Sequence, residues 1–220
     1  MTSGPQFSTA QALLQMAAAL EDPIVAYLCA WTAFNNLVHV AGRRAGVRPQ
    51  FALRKNGTLQ VRKADGRKMP VVTPPRNEHL LSAALGLLRP EAASELLTHP
   101  SLRHFADRVP RVNGRPLPAD AYKQRITGVV DLSLTVDARY PVWYSLDREL
   151  VRQAGEGTLT QETQGALLLQ VAQLLRAIYH DLISVSDPTE GEANVEVATY
   201  GLPLLTRLVE GLIESLCTVE

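Results

Sequence analysis

One predicted helix carries polar side chains whose types and spacing could support chemistry. Thr32, Asn35, Asn36, His39 and Arg43 follow one another at helical steps and fall on one stripe of that helix. Amide, imidazole and guanidinium groups can all donate hydrogen bonds to a phosphodiester, and an imidazole can act as a general acid or base near neutral pH. The stripe is therefore a candidate phosphate-binding or catalytic surface. The alternative is a solvated helix face, or asparagines that satisfy polar groups inside a helical bundle.

A basic segment is the second candidate for phosphate binding. Residues 43–68 carry a net charge of +8, residues 140–220 carry −8, and the whole chain is neutral. A local positive field can attract phosphate even when the whole protein has no net charge. The candidate nucleic-acid contacts are its basic residues Arg43, Arg44, Arg48, Arg54, Lys55, Arg62, Lys63, Arg67 and Lys68. The alternative is that the basic and acidic segments bind each other, within one chain or between two copies.

Familiar catalytic and metal-binding motifs are missing from the sequence. The five histidines have no metal-ligand spacing, and the two cysteines, Cys29 and Cys217, do not pair with them. The chain also lacks a phosphate-binding loop, a dinucleotide-binding glycine motif and a nucleophile elbow. We therefore expect no metal and no cofactor.

The elements that must position these residues are predicted to be mainly helices. Ser8 and the pair Asp22-Pro23 are typical of helix starts, and Pro203 is expected in the first turn of the last helix. Residues 129–137 alternate in the manner of a strand, between helical flanks at 119–128 and 142–153. Apolar periodicity predicts helices over 9–20, 23–44, 76–88, 90–98, 161–185 and 204–217.

Residues 47–75 lose the helical period and favour a different structure. Two β-like runs flank Asn56-Gly57, a dipeptide that prefers the tight turn of a two-residue hairpin. We therefore predict a mainly α protein, a helical bundle in which one domain spans residues 1–220 and contains a small basic β-hairpin or meander. The alternative for the insertion is a disordered basic loop.

Composition limits the class of protein and its surroundings. Hydrophobic residues make up 46% of the chain and charged residues 20%, which is enough to bury a core. No continuous apolar run reaches the roughly 18 residues of a membrane span, and the N-terminus lacks the basic and apolar regions of a signal peptide. We expect a cytoplasmic protein with reduced thiols and no membrane contact.

The helix that carries the polar stripe also resembles a known family. Its segment AWTAFNNLV, residues 30–38, is similar to the first long helix of the HEPN superfamily, which often reads Trp-x-Ala-Phe-Asn-x-Leu. The resemblance implies an all-α bundle that frequently dimerises. It also implies a link to metal-independent ribonucleases of toxin–antitoxin, CRISPR and other defence systems.

The active motif of that family is degenerate in this chain. The motif has an arginine, a polar residue and, a few residues later, a histidine, and the matching place here is 144–152. Asp147 stands where the arginine is expected and Arg152 where the histidine is expected. The resemblance therefore implies that the bundle is kept while the catalytic pair is lost.

Three functions stay open on the sequence alone. The first is a non-catalytic HEPN-like binding or assembly protein in a nucleic-acid-linked stress or defence system, acting as a homodimer or partner subunit that contacts RNA or DNA. The second is a metal-independent ribonuclease in which His39 acts with Arg43 or another arginine, beside Asn35 and Asn36. The third is a protein–protein adaptor with no nucleic-acid role.

Overall fold

The computed structural model confirms a mainly helical fold. It describes residues 5–47, 77–106, 146–184 and 191–217, together with short strands within 50–73 and 111–116. In these ranges there are eight helices: α1 (Pro5–Ala19), α2 (Pro23–Arg44), α3 (Asn77–Gly86), α4 (Pro90–Leu97), α5 (Ser101–Ala106), α6 (Arg148–Glu156), α7 (Gln161–Ser184) and α8 (Gly191–Cys217). The predicted helices over 23–44, 90–98 and 161–185 are confirmed almost to the residue.

The strands are only two or three residues long. Antiparallel pairs join β1 with β6, β2 with β3, β4 with β5, and β7 with β8. Their bounds are β1 (Gln50–Phe51), β2 (Leu53–Arg54), β3 (Gly57–Thr58), β4 (Gln60–Arg62), β5 (Lys68–Pro70), β6 (Val72–Thr73), β7 (Arg111–Val112) and β8 (Arg115–Pro116). The predicted inserted hairpin is not seen, and the residues that connect these strands lie outside the described residues. The predicted strand at 129–137 and helix at 119–128 also lie outside them.

Helix α2 lies at the centre of the bundle, in contact with α1, α3, α7 and α8. It begins as predicted, because Asp22 Oδ1 accepts hydrogen bonds from the backbone N–H groups of Ile24 (2.8 Å) and Val25 (3.3 Å). Pro23 follows at the first helical position, where no backbone N–H is needed. Its buried residues are Ala26, Tyr27, Ala30, Trp31, Ala33, Phe34, Leu37, Val38, Val40, Ala41 and Gly42.

A buried tyrosine joins α2 to α7 and α8. The Tyr27 hydroxyl donates a 2.6 Å hydrogen bond to the carbonyl oxygen of Leu175, and burial raises the pKa of Tyr27 well above its usual value. On the α8 side the ring lies against Gly201, where an added Cβ would come within 3.0 Å of Tyr27 Cε2 and of Ile178 Cδ1. The absence of a side chain at Gly201 thus allows α8 to approach both neighbouring helices closely.

Removing this one hydroxyl should have a measurable effect on stability. We expect Tyr27→Phe to lower the free energy of unfolding by about 1 kcal/mol, the net contribution of a buried hydrogen bond whose partner is a backbone carbonyl. The matched control is Tyr179→Phe, because the Tyr179 hydroxyl makes no hydrogen bond within the described residues. Urea denaturation of both variants measures the difference, and equal losses would contradict the role given to the Tyr27 hydroxyl.

Two predicted helix starts are wrong. Helix α8 begins at Gly191 and not at 204, and Pro203 lies inside it instead of in its first turn. The buried Val197, Ala198 and Leu204 continue one apolar face across the proline, so tertiary packing outweighs the backbone hydrogen bond that proline cannot make. Helix α1 begins at Pro5, which places Ser8 inside the helix and not at its cap.

Some apolar residues of α1 and α2 are buried and others are exposed. Ala10 and Ala17 are buried, and Leu13 and Leu14 pack partly against the core. Val25, in contrast, is 43% exposed, because it lies on the same side of α2 as the polar stripe. The buried face of α2 is built largely from alanines and aromatic rings, which allow neighbouring helices to approach closely.

The composition of α2 is also that of a helix able to cross a membrane. Among the described helices, α2 has the length and the mean hydropathy, 1.3, that such a helix needs. Buried core helices meet the same criterion, and 56% of the apolar stretch in α2 is buried inside the fold. The expectation of no membrane contact therefore stays a prediction.

Candidate functional site

The polar stripe of α2 lies at the surface of the protein. The side chains of Asn35, Asn36, His39 and Arg43 are all exposed, and they adjoin the buried aromatic face of the same helix. Thr32 is exposed as well, but its hydroxyl donates a 2.9 Å hydrogen bond to the carbonyl of Leu28 on the same helix. The alternative of asparagines buried in the bundle is thereby excluded for Asn35 and Asn36.

Part of the stripe forms one wall of a small pocket between α2, α3 and α7. Asn35 and His39 line it from α2, and Arg176 reaches it from α7. The pocket has a volume of about 40 Å³. The apolar side chains that complete it are Trp31, Phe34, Val38, Leu80 and Leu81. An amide, an imidazole and a guanidinium therefore line the same pocket as five apolar side chains, and none of the described residues that line it carries a carboxylate.

Arg176 is a site residue that the sequence analysis missed. Its Nε donates to Nε2 of His180, one turn further along α7, at 3.4 Å. Within the described residues no carboxylate oxygen lies within 4 Å of the Arg176 guanidinium, and its Nη atoms make no hydrogen bond there. The Arg176–His180 pair, four residues apart on a predicted helix, was visible in the sequence. Its position opposite Asn35 and His39 was not, because that depends on how α7 packs on α2.

An aromatic stack sets the distance between the two helices beside the pocket. The Trp31 ring lies 4.8 Å from the Tyr179 ring with only 16° between their planes, and 5.2 Å from the Phe34 ring at 54°. Trp31 is buried, so the stack fixes α2 against α7 from inside the core. Asn35 and His180, each adjacent in sequence to a ring of this cluster, are held on a rigid framework.

The two basic residues described at the end of α2, Arg43 and Arg44, have different surroundings. Arg43 is exposed and continues the stripe one turn beyond His39. Arg44 Nη1 instead donates a hydrogen bond to the carbonyl oxygen of Leu216, and its guanidinium lies over the Phe7 ring at 5.6 Å. Arg44 therefore ties α2 to α1 and α8. The side chains of Arg48, Arg54, Lys55, Arg62, Lys63, Arg67 and Lys68 lie outside the described residues.

Two residues at the place where the resemblance would put the HEPN motif, Asp147 and Arg152, make contacts that stabilise α6. Asp147 caps the helix, since its Oδ1 accepts hydrogen bonds from the backbone N–H groups of Glu149 (2.9 Å) and Leu150 (3.3 Å). Arg152 forms ion pairs with Glu149 and Glu156, both at 2.6 Å. Each position where a catalytic group was expected thus has contacts that belong to the helix itself.

The Arg152 contacts make the stability of α6 depend on pH. Hydrogen bonds from Arg152 and Gln153 lower the pKa of Glu149 to about 2. Because the folded-state pKa lies below the usual value of 4.5, the pair stabilises α6 above about pH 4.5, and this contribution is lost as the pH falls towards 2. The side chains are about half exposed, so water screens the pair and its contribution is small.

Two other described histidines, His99 and His104, are not among the residues that line this pocket. The His104 ring stacks on Tyr200 at 3.6 Å, and its Nε2 lies 3.4 Å from Glu196 Oε1, at the contact of α5 with α8. His99 Nδ1 accepts a 3.2 Å hydrogen bond from the backbone N–H of Ser101. Burial, with a smaller effect from Arg207, lowers the pKa of His99. In the part of the chain that the structure describes, no three His, Cys, Asp or Glu side chains come together as metal ligands would.

Comparison with known proteins adds no relative. The chain matches no protein-family model, no curated protein and no solved structure. The HEPN resemblance therefore stays a prediction that rests on residues 30–38 of α2.

Proposed function

We propose that this chain is a non-catalytic, HEPN-like helical protein that binds the phosphate backbone of RNA or DNA in the cytoplasm, within a stress or defence system. One observation carries the proposal. The exposed stripe of α2 continues into a pocket lined by Asn35, His39 and Arg176, and none of the described residues that line this pocket carries a carboxylate.

The chemistry of these groups suits a phosphate ligand. The guanidinium of Arg176 has several donors, and a charge-assisted hydrogen bond from arginine to a phosphate oxygen is roughly twice as strong as a neutral one. Asn35 and His39 add neutral donors, and Arg43 adds a second cation further along α2. A phosphate that approached this face would meet donors on two helices, and no described lining residue would repel it with a carboxylate.

The basic segment after α2 would extend the binding surface. It has a net charge of +8 and begins at Arg43, at the end of the stripe. Its only aromatic residue is Phe51, so stacking on bases would contribute little and sequence preference would be weak. A second copy of the chain, whose residues 140–220 carry −8, is the protein partner that this charge distribution favours. If two copies pair in this way and bind no nucleic acid, the chain is the protein–protein adaptor of the alternative hypothesis.

The contacts of Asp147 and Arg152 support a non-catalytic role. Both side chains hydrogen-bond to α6, so neither stands ready to act on a substrate. One observation favours cleavage as a second candidate, because His39 lines the same pocket as Arg176. An imidazole beside a guanidinium could transfer a proton while the arginine stabilises developing negative charge.

Binding of a fluorescent single-stranded RNA, measured by anisotropy, tests the proposal. We expect the double variant His39→Ala/Arg43→Ala to weaken binding about tenfold or more, because it removes one cation and one donor from the same face. The control is Arg207→Ala, which removes an exposed arginine from α8 and should bind like wild type. Equal affinities for the double variant and wild type would contradict the proposed surface.

The same samples separate binding from cleavage. The non-catalytic proposal expects wild-type protein to leave the RNA intact on a denaturing gel. Cleavage by wild type that is lost in His39→Ala would overturn that part of the proposal and support the second candidate.

A further inference from the structure

The size of the α2–α7 pocket limits what it can hold. A water molecule needs at least about 10–15 Å³ of such space, so a volume of about 40 Å³ accepts roughly three water-sized atoms. A nucleobase has several times as many heavy atoms and would extend beyond this space. Three oxygens on one central atom do fit, and three polar side chains, Asn35, His39 and Arg176, surround the space.

We propose that this pocket binds a terminal phosphate monoester, a phosphate group attached through only one of its oxygens. A monoester presents three free oxygens, whereas the phosphodiester inside a strand presents two. It also carries a charge of about −1.5 to −2 at neutral pH. This inference rests on the proposed function, because the ligand it favours is the phosphate at the end of an RNA or DNA strand. Inorganic phosphate presents similar free oxygens and charge, so it is the other possible ligand of this pocket.

The position of Arg176 favours this ligand. Its Nε is engaged with His180, which leaves the two Nη groups as the donors for the pocket. His180 therefore acts as a positioning residue, since it holds one edge of the guanidinium. The half-buried side chain of Arg176 and the apolar side chains that line the pocket keep part of the bulk water away. An ionic hydrogen bond is stronger in such surroundings than in open water.

The test compares RNA oligonucleotides of one sequence that differ only at their ends. One has a 5′-phosphate, one a 3′-phosphate and one hydroxyls at both ends. We expect at least one phosphorylated form to bind about tenfold more tightly than the hydroxyl form, the effect of one charge-assisted hydrogen bond. Arg176→Gln should abolish the preference, and it should weaken binding of the phosphorylated form more than binding of the hydroxyl form, which keeps its other phosphate contacts. Arg207→Gln is the control and should keep the preference.

A second variant and a second ligand complete the experiment. Asn35→Ala changes an exposed side chain, so it should fold normally, and we expect it to reduce the same preference. Inorganic phosphate at millimolar concentration should compete with the phosphorylated oligonucleotide in wild type, and not in Arg176→Gln.

The outcomes separate this inference from the proposed function. Equal binding of the three oligonucleotides by wild type would overturn the terminal-phosphate site and leave backbone binding intact. Binding of inorganic phosphate that depends on Arg176, with no binding of any oligonucleotide, would support the site with free phosphate as its ligand and contradict the proposed function. A preference that persists in both Arg176→Gln and Asn35→Ala would overturn the assignment of the pocket.

Discussion

Replacement of Leu175 by alanine should lower the free energy of unfolding by about 2–5 kcal/mol. Leu175 is fully buried in α7, and its backbone carbonyl accepts the hydrogen bond of Tyr27. Truncation removes apolar contacts and leaves a cavity that neighbouring rigid helices fill only in part. Chemical denaturation followed by circular dichroism at 222 nm measures the loss, and an unchanged helical signal before the transition shows that the variant folds.

The same helix supplies a matched control for this change. Leu169 is 40% exposed, so Leu169→Ala makes the same chemical change on the other side of α7. Its cost should stay below about 1 kcal/mol, as for most surface substitutions. Equal costs at Leu175 and Leu169 would contradict the packing of α7 against α2 and α8, and with it the placement of Arg176 opposite His39.

Charge reversal in the basic segment should have the largest effect on nucleic-acid binding. We expect binding to be abolished, because each substitution removes one cation and adds one negative charge that repels the phosphate backbone. The four changes are Arg54→Glu, Lys55→Glu, Arg62→Glu and Lys63→Glu. The helical signal should remain, since none of the four residues lies in a described helix. Anisotropy with single-stranded RNA at low salt measures the effect.

A double charge reversal within the basic segment can be compared with a double reversal outside it that changes the net charge of the protein by the same amount. Arg54→Glu/Arg62→Glu should weaken binding strongly, whereas Arg89→Glu/Arg207→Glu, at two exposed arginines outside the segment, should have little effect. If the basic charges instead hold the acidic C-terminal part of a second copy, the fourfold reversal would lower the melting temperature or dissociate the dimer. Analytical ultracentrifugation and thermal denaturation detect that result, which would favour the adaptor alternative.

The sequence predicted the helices whose boundaries are marked by local chemistry. Helix α2 starts at Asp22-Pro23, where a cap and a proline act within a few residues, and α4 starts at Pro90. Their signals need no knowledge of distant parts of the chain. Helix α5, Ser101–Ala106, was not predicted, because six residues are too few to show a helical repeat of apolar residues.

The start of α8 could not be predicted from local rules. Proline normally breaks a helix, so Pro203 was placed in the first turn of a shorter helix. The longer helix is stable because residues on both sides of the proline are buried against α2 and α7. Because that packing involves residues far apart in the chain, no local sequence pattern predicts it.

The sequence predicted only part of the candidate site, because some of its residues come together only when distant helices pack. The i,i+4 spacing of Asn35, His39 and Arg43 placed them on one stripe, and all three are exposed on one side of α2. Which other element faces this stripe depends on the packing of α7, so Arg176 became visible only in the structure. The sequence also did not reveal that Arg44, next to Arg43, contacts Phe7 of α1 and Leu216 of α8.

The salt dependence of RNA binding by the wild-type protein tests the central claim most directly. Affinity for a single-stranded RNA should be measurable at about 50 mM salt and fall steeply towards 200 mM, because each phosphate contact releases condensed counterions. In a plot of log affinity against log salt concentration, the slope should be about −0.7 for each contact with a single strand. Absence of binding to single- and double-stranded nucleic acids at about 50 mM salt, where such contacts are strong, would contradict the account.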